Sequence, residues 1–272
     1  MLFKIDPFSV TLYGVWQQFI EMVLYMHPRP LAALRFSRIV LPNLITGSAI
    51  FAGYVSILET FQGQYTAAAG FILLACLLDM LDGRVARMID GTSDFGVQFD
   101  SLADMVNYGV APALLFYFLY FEPLGILGIA LSFLPVCCAG IRLARFNVDA
   151  DPDIPTSCFV GLPTTIAALV LAGYVIFAQD FHPDANVSFQ AGLLVVMTAL
   201  LMVSSVQYEK SNILSLRYIR KTRRIVTGTL IVTSLILFPT FAFFAWGLLY
   251  ILYGLTRSAI QTILAGKSQP AT

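Results

Sequence analysis

Apolar residues dominate the chain in blocks long enough to cross a bilayer, which takes roughly 20 residues as a helix. The blocks predict eight spans, at about 42–60, 66–90, 94–121, 124–147, 159–179, 188–207, 222–239 and 241–262. Basic residues crowd the start of the seventh, and Pro239 marks the joint before the eighth. Ahead of them, Phe8, Leu12, Val15, Trp16, Phe19 and Val23 recur at helical spacing, with Gln17, Gln18 and Glu21 elsewhere around the wheel. That pattern suits an amphipathic helix in the membrane interface. His27-Pro28-Arg29-Pro30 breaks it. The expected fold is all-α: a polytopic transmembrane helical bundle of about eight spans, preceded by an interfacial amphipathic helix.

Composition agrees. The chain has 272 residues, 58% of them hydrophobic and 12% charged, with a mean hydropathy of +0.80. Net charge is zero, so nothing points to nucleic acid. Cys76, Cys137, Cys138 and Cys158 lack metal-type spacing and read as small buried hydrophobes. No cleavable signal peptide is expected, because Asp6 and Glu21 interrupt the N-terminal segment.

The placement of cations predicts topology. Lys4, Arg29, Arg35 and Arg38 precede the first span, Arg84 and Arg87 close the second, and Arg142 and Arg145 close the fourth. Lys210, Arg217, Arg220, Lys221, Arg223 and Arg224 follow the sixth, and Arg257 and Lys267 end the chain. These are all 16 Lys and Arg, and all fall on one side if the spans alternate. The positive-inside rule makes that side cytoplasmic. The run 210–224 attracts anionic lipid headgroups or simply sets orientation. His27, His182 and the acidic loop of Asp149, Asp151 and Asp153 are given no catalytic or metal role.

One stretch breaks the apolar pattern with charge. Asp79 and Asp82 are three apart, and Asp100 and Asp104 four apart, so each pair shares a helix face. Two such faces turned together make an oxygen cage for hard divalent cations. Carboxylates in hydrocarbon are costly and mark function. With Arg87 and Arg84 nearby, the residues suggest metal-dependent phosphate chemistry near the cytoplasmic surface. The bland alternative is an Asp–Arg ion-pair network, against which four acids outnumber two nearby arginines.

The segment reads Asp82-Gly83-x-x-Ala86-Arg87, eight residues, then Gly96-x-x-x-Asp100-x-x-x-Asp104. This resembles the signature of the CDP-alcohol phosphotransferase family. The resemblance implies a six-helix catalytic core and transfer of a phosphatidyl-type group from a CDP-linked lipid to an alcohol, with CMP leaving. It implies Mg2+ or Mn2+, two ions, on Asp79, Asp82, Asp100 and Asp104, with Asp104 also the candidate general base. It implies a CDP site that includes Asp79, Gly83, Ala86 and Arg87, and a homodimer.

Further motifs narrow the acceptor. Pro42-Asn43-Leu44-Ile45-Thr46, Arg142-Leu143-Ala144-Arg145-Phe146-Asn147, Phe159-Val160-Gly161-Leu162-Pro163 and Tyr208-x-Lys210 together resemble the membrane-integral phosphatidylserine synthases. Substrates are then CDP-diacylglycerol and L-serine, in contact with membrane lipids. Asn43 and Thr46 share a face and either bond the nucleotide or cap a helix. Arg142 and Arg145 suit the serine carboxylate or phosphate, with Asn147 assisting. Glycerol 3-phosphate or an inositol phosphate remain alternative acceptors. A divalent-cation transporter and an inactive scaffold are further alternatives. The expected organisation is an N-terminal segment at 1–30, a catalytic core at 31–210, and a basic loop with a terminal hairpin at 211–272. The expected location is a cytoplasm-facing site in a bacterial cytoplasmic membrane.

Overall fold

The structure is a computed structural model. It describes residues 32–89, 93–149, 158–181, 188–209, 229, 233–234 and 239–267. The expected interfacial helix, the run 210–224, and most of the expected seventh span lie outside these residues, as do His27, His182, Asp151 and Asp153.

The described chain is a helical bundle. α1 spans Ala32–Phe61, α2 Tyr65–Met88 and α3 Asp94–Asp104. α3 runs on through a π-helical turn at Met105–Val110, α4 at Ala111–Phe116, and a second π turn at Tyr117–Phe121. α5 spans Ile126–Asp149, α6 Thr164–Phe181, α7 Ser188–Val203 and α8 Pro239–Lys267. Among the described residues, six stretches are long and apolar enough to cross a membrane: 40–61, 65–88, 95–124, 126–148, 164–181 and 241–260. The chain is therefore a membrane protein. α7 is apolar but only 16 residues long. Pro239 occupies the first position of α8, where its missing N–H and fixed φ are tolerated.

Small residues let the helices approach closely, which substitutes in lipid for a hydrophobic drive. α1 and α2 form a hairpin, and Ala52 of α1 with Ala68, Ala69, Ile72 and Ala75 of α2 are buried in one cluster. Ser56 Oγ donates to the Ala68 carbonyl across it at 2.8 Å. The hairpin turns at Gly63, whose φ of +75° ends α1 in the left-handed conformation. Central to the bundle is α6, with Val170, Leu171, Ala172 and Val175 almost fully enclosed.

The expected fifth and sixth spans differ at their polar ends. Residues 158–160 and 207–209 pair as two short antiparallel strands, β1 and β2, with Phe159 opposite Tyr208. Gly161, at φ +79°, bends the chain into α6, and its N–H bonds the Val206 carbonyl at 2.9 Å. A side chain at 161 would strike the Met202 carbonyl. The small polar bridge thus ties the start of α6 to the end of α7.

The candidate acidic site at one end of the bundle

α2 ends and α3 begins at the same end of the bundle. Asp79 and Asp82 therefore sit in the last turns of one helix, and Asp100 and Asp104 in the first turns of the next. Carboxylate oxygens of Asp79, Asp82 and Asp100 all lie within 4.8 Å of one another. Asp82 is 5% exposed, which puts an acid where water barely solvates it. Thr46 Oγ1 donates to Asp82 Oδ2 at 2.7 Å. Asp104, one turn beyond Asp100, lies within electrostatic range of Asp79, Asp100 and Arg142.

Tertiary structure adds Tyr108, which the spacing does not single out. It is 1% exposed and turns its phenol toward Asp79 and Cys76. The π turn explains its position. Ala111 N–H reaches back five residues to the Val106 carbonyl, and Pro112 then brings no N–H of its own. Such turns often mark functional sites.

Beside the acids lies an open cleft of about 210 Å3. Asn43 and Thr46 of α1, Gly83, Ala86 and Arg87 of α2, and Asp82 and Asp100 line it. Five residues expected at a CDP site thus meet in one cleft, while Asp79 lies with the adjacent acids. The Arg87 guanidinium lies over Gly83: a Cβ there would be 3.6 Å from its Nη1. Ser93, absent from the expected set, caps α3 by accepting from Gly96 N–H at 3.0 Å. Ser93, Gly96 and Val97 open the positive end of α3 onto the cleft, which suits an anion. The sequence signal for the cap is a serine three residues before a signature glycine.

The other expected binding residues sit apart from the cleft. Arg142 is buried, and its Nη1 donates to Thr164 Oγ1 of α6 at 3.3 Å. Arg145 Nη1 donates to the Val203 carbonyl at the end of α7. Asn147 bonds the Ser101 hydroxyl on α3, its Nδ2 at 3.1 Å. Of the three, Arg142 is the one within electrostatic range of Asp104.

Three oxygens so close, from acids with few cations among them, form a donor set that fits a hard divalent ion. Metal–oxygen distances of roughly 2.0–2.6 Å hold ligand oxygens about 4–5 Å apart at most. With a divalent ion held by the acids and Arg87 in the cleft, such a site would neutralise a diphosphate beside a carboxylate able to take a proton.

The sequence also resembles known proteins. The sequence model of the CDP-alcohol phosphatidyltransferase family matches residues 39–207. A Helicobacter pylori protein named CDP-diacylglycerol–serine O-phosphatidyltransferase is 36% identical over 218 residues, covering 79% of this chain and 90% of that protein. A Mycobacterium leprae protein of the same name is 34% identical over 195 residues, 70% of this chain and 65% of that protein. An archaetidylserine synthase of Methanothermobacter thermautotrophicus is 35% identical over 177 residues, 64% of this chain and 71% of that protein.

Proposed function

The chain belongs to the CDP-alcohol phosphatidyltransferase family, and from that membership we propose that it transfers the phosphatidyl group of CDP-diacylglycerol to the hydroxyl of L-serine. The observation that carries this is the meeting of three carboxylates from α2 and α3 beside a cleft lined by Asn43, Thr46, Gly83, Ala86 and Arg87. The relatives' names support the acceptor. Serine is common to all three, whereas the lipid part differs between phosphatidyl and archaetidyl.

The serine oxygen attacks the lipid-side phosphorus, the bond from that phosphorus to the CMP oxygen breaks, and CMP leaves. Asp104 takes the hydroxyl proton, a role supported by its place beside Asp79 and Asp100. Asp79, Asp82 and Asp100, with Asp104 beside them, would hold Mg2+ or Mn2+, two ions in our reading. Bound there, the metal would supply neutralisation of the diphosphate charge and would favour ionisation of the acceptor hydroxyl. Thr46 fixes the Asp82 carboxylate, and Arg87 with the first turn of α3 binds the diphosphate. Arg142 orients a substrate anion beside Asp104. Arg145 and Asn147 hold the end of α5 against α7 and α3.

Residues 31–210 form the catalytic core in this proposal. Residues 1–30 form an interfacial segment, and 211–272 a basic loop with a terminal hairpin. The site faces the cytoplasm of a bacterial membrane, as the one-sided cations suggest, and the protein acts as a homodimer. A cation transporter fits less well, because its acids belong near the midplane rather than at one end of the helices.

The test is CMP release by purified protein in mixed micelles of CDP-diacylglycerol, with Mg2+ or Mn2+ supplied. Serine, glycerol 3-phosphate and inositol phosphate are offered separately. Serine-dependent release that is lost in Asp104→Asn is the expected result. Release with another acceptor overturns the serine assignment, and no release from folded protein overturns the enzyme.

A further inference from the structure

α8 lies beyond the 39–207 match, yet it is seated in the bundle by bare backbone. A Cβ on Gly173 of α6 would meet Phe244 N of α8 at 2.8 Å. One on Gly247 would strike Val170, and one on Gly254 would fall in the ring of Tyr208. Gly247, Tyr250, Ile251 and Gly254 follow a three-, four- and seven-residue spacing, so they share the helix face turned to α6 and β2.

Tyr250 is the polar member of that face. Its ring stacks on buried Tyr208 with centroids 5.7 Å apart and planes 16° from parallel. It packs on a cluster that contains Ala139, Leu162 and Met202. Ala139 precedes Arg142 by three residues on α5, and Leu162 lies two residues before Thr164, the Arg142 partner. Tyr250 and Arg142 interact electrostatically. The guanidinium therefore donates to Thr164 of α6 and lies within electrostatic range of Tyr250 of α8 and of Asp104.

We propose that Tyr250 is a positioning residue: it holds the Arg142 guanidinium toward a substrate anion, so that the C-terminal helix completes the active site. The anion is the acceptor's carboxylate or the donor's phosphate, which share the chemistry a guanidinium recognises. This rests on the reading of Arg142 as the anion-binding residue. A guanidinium offers five donors in a rigid fork. Contacts from two helices fix the fork's plane before substrate arrives, which lowers the ordering cost of binding.

Tyr250→Phe keeps the ring that stacks on Tyr208 and removes only the hydroxyl. The expected result is a rise of about five- to twenty-fold in the KM of one substrate, with kcat within about two-fold and Tm unchanged. A rise in serine KM assigns the anion to the acceptor, and a rise in CDP-diacylglycerol KM assigns it to the donor. Arg142→Lys is the reference, with Arg142→Gln in its place if the lysine variant does not fold. It should raise the same KM, and Tyr250→Phe should then add less than about two-fold on top of it. An unchanged Tyr250→Phe, or an equal effect in both backgrounds, overturns the proposal and leaves Arg142's role standing. An Arg142 variant with both KM values unchanged overturns the anion-binding reading and the proposal with it.

Discussion

At the scale of single residues, the Thr46 hydroxyl is poised between two acceptors. Its Oγ1 lies 2.7 Å from Asp82 Oδ2 and 3.1 Å from the Pro42 carbonyl. The shorter, charge-assisted bond is the stronger one. A partner bonded to a metal-binding carboxylate commonly accounts for 10–100-fold in metal affinity or activity. Thr46→Val preserves the volume and removes the donor. The expected outcome is an apparent Mg2+ or Mn2+ activation constant about ten-fold higher, with Thr46→Ser close to wild type. Metal titration of CMP release checks it, and a valine variant with unaltered metal dependence would sink the idea. Thr46 was visible in the sequence as part of Pro-Asn-x-x-Thr, but only as an alternative between ligand contact and helix cap. The structure gives it a partner 36 residues away, a distance that no local pattern encodes. Thr164 is harder still to read: a threonine at the head of an apolar helix is commonplace, and its contact with Arg142 exists only after folding.

Among elements, the meeting of α1 with the π turn after α3 decides where Asp104 stands. A Cβ on Gly53 would fall on Asn107 Oδ1, and Asn107 is 1% exposed with little room to yield. Gly53→Ala should therefore displace the turn that carries Asp104. Overpacking of this kind costs about 1–3 kcal/mol. We expect a lowered Tm in detergent together with a kcat loss larger than any change in KM. Asn107→Ala added to Gly53→Ala should recover part of both, because it vacates the contested space. Failure of that rescue would place the damage elsewhere. The acid-bearing helices were legible because intervals of three and four residues put each pair of aspartates on one face. The π turns were not, since 94–121 reads as one uninterrupted apolar helix. Pro112, which brings no N–H, adjoins the first of them, but a proline alone does not tell whether a helix there kinks, ends or widens. The bridge between 158–160 and 207–209 escaped for a similar reason. Three-residue strands carry too little alternation to separate from the ends of neighbouring apolar spans.

The whole molecule adds direction. Successive spans alternate, so α2 ends at the acid-bearing end of the bundle while α5 begins at the other. Met88 closes α2 and is 83% exposed, and Ile126 opens α5 and is 86% exposed. Cations in the described spans repeat the asymmetry: Arg84 and Arg87 near the first position, Arg142 and Arg145 at the far end of α5 from the second. In the proposed orientation, which follows the positive-inside rule, Met88 is cytoplasmic and Ile126 lies outside. Catalysis demands the same orientation if the donor is a nucleotide-linked lipid drawn from the cytoplasmic leaflet. Single cysteines at these two positions, with Cys76, Cys137, Cys138 and Cys158 replaced, can be offered a membrane-impermeant maleimide. In intact cells of a bacterial host, Ile126→Cys should label and Met88→Cys should not. In inverted membrane vesicles the pattern should reverse. The opposite pattern would turn the acidic site outward, and the one-sided cations would then need an explanation other than orientation.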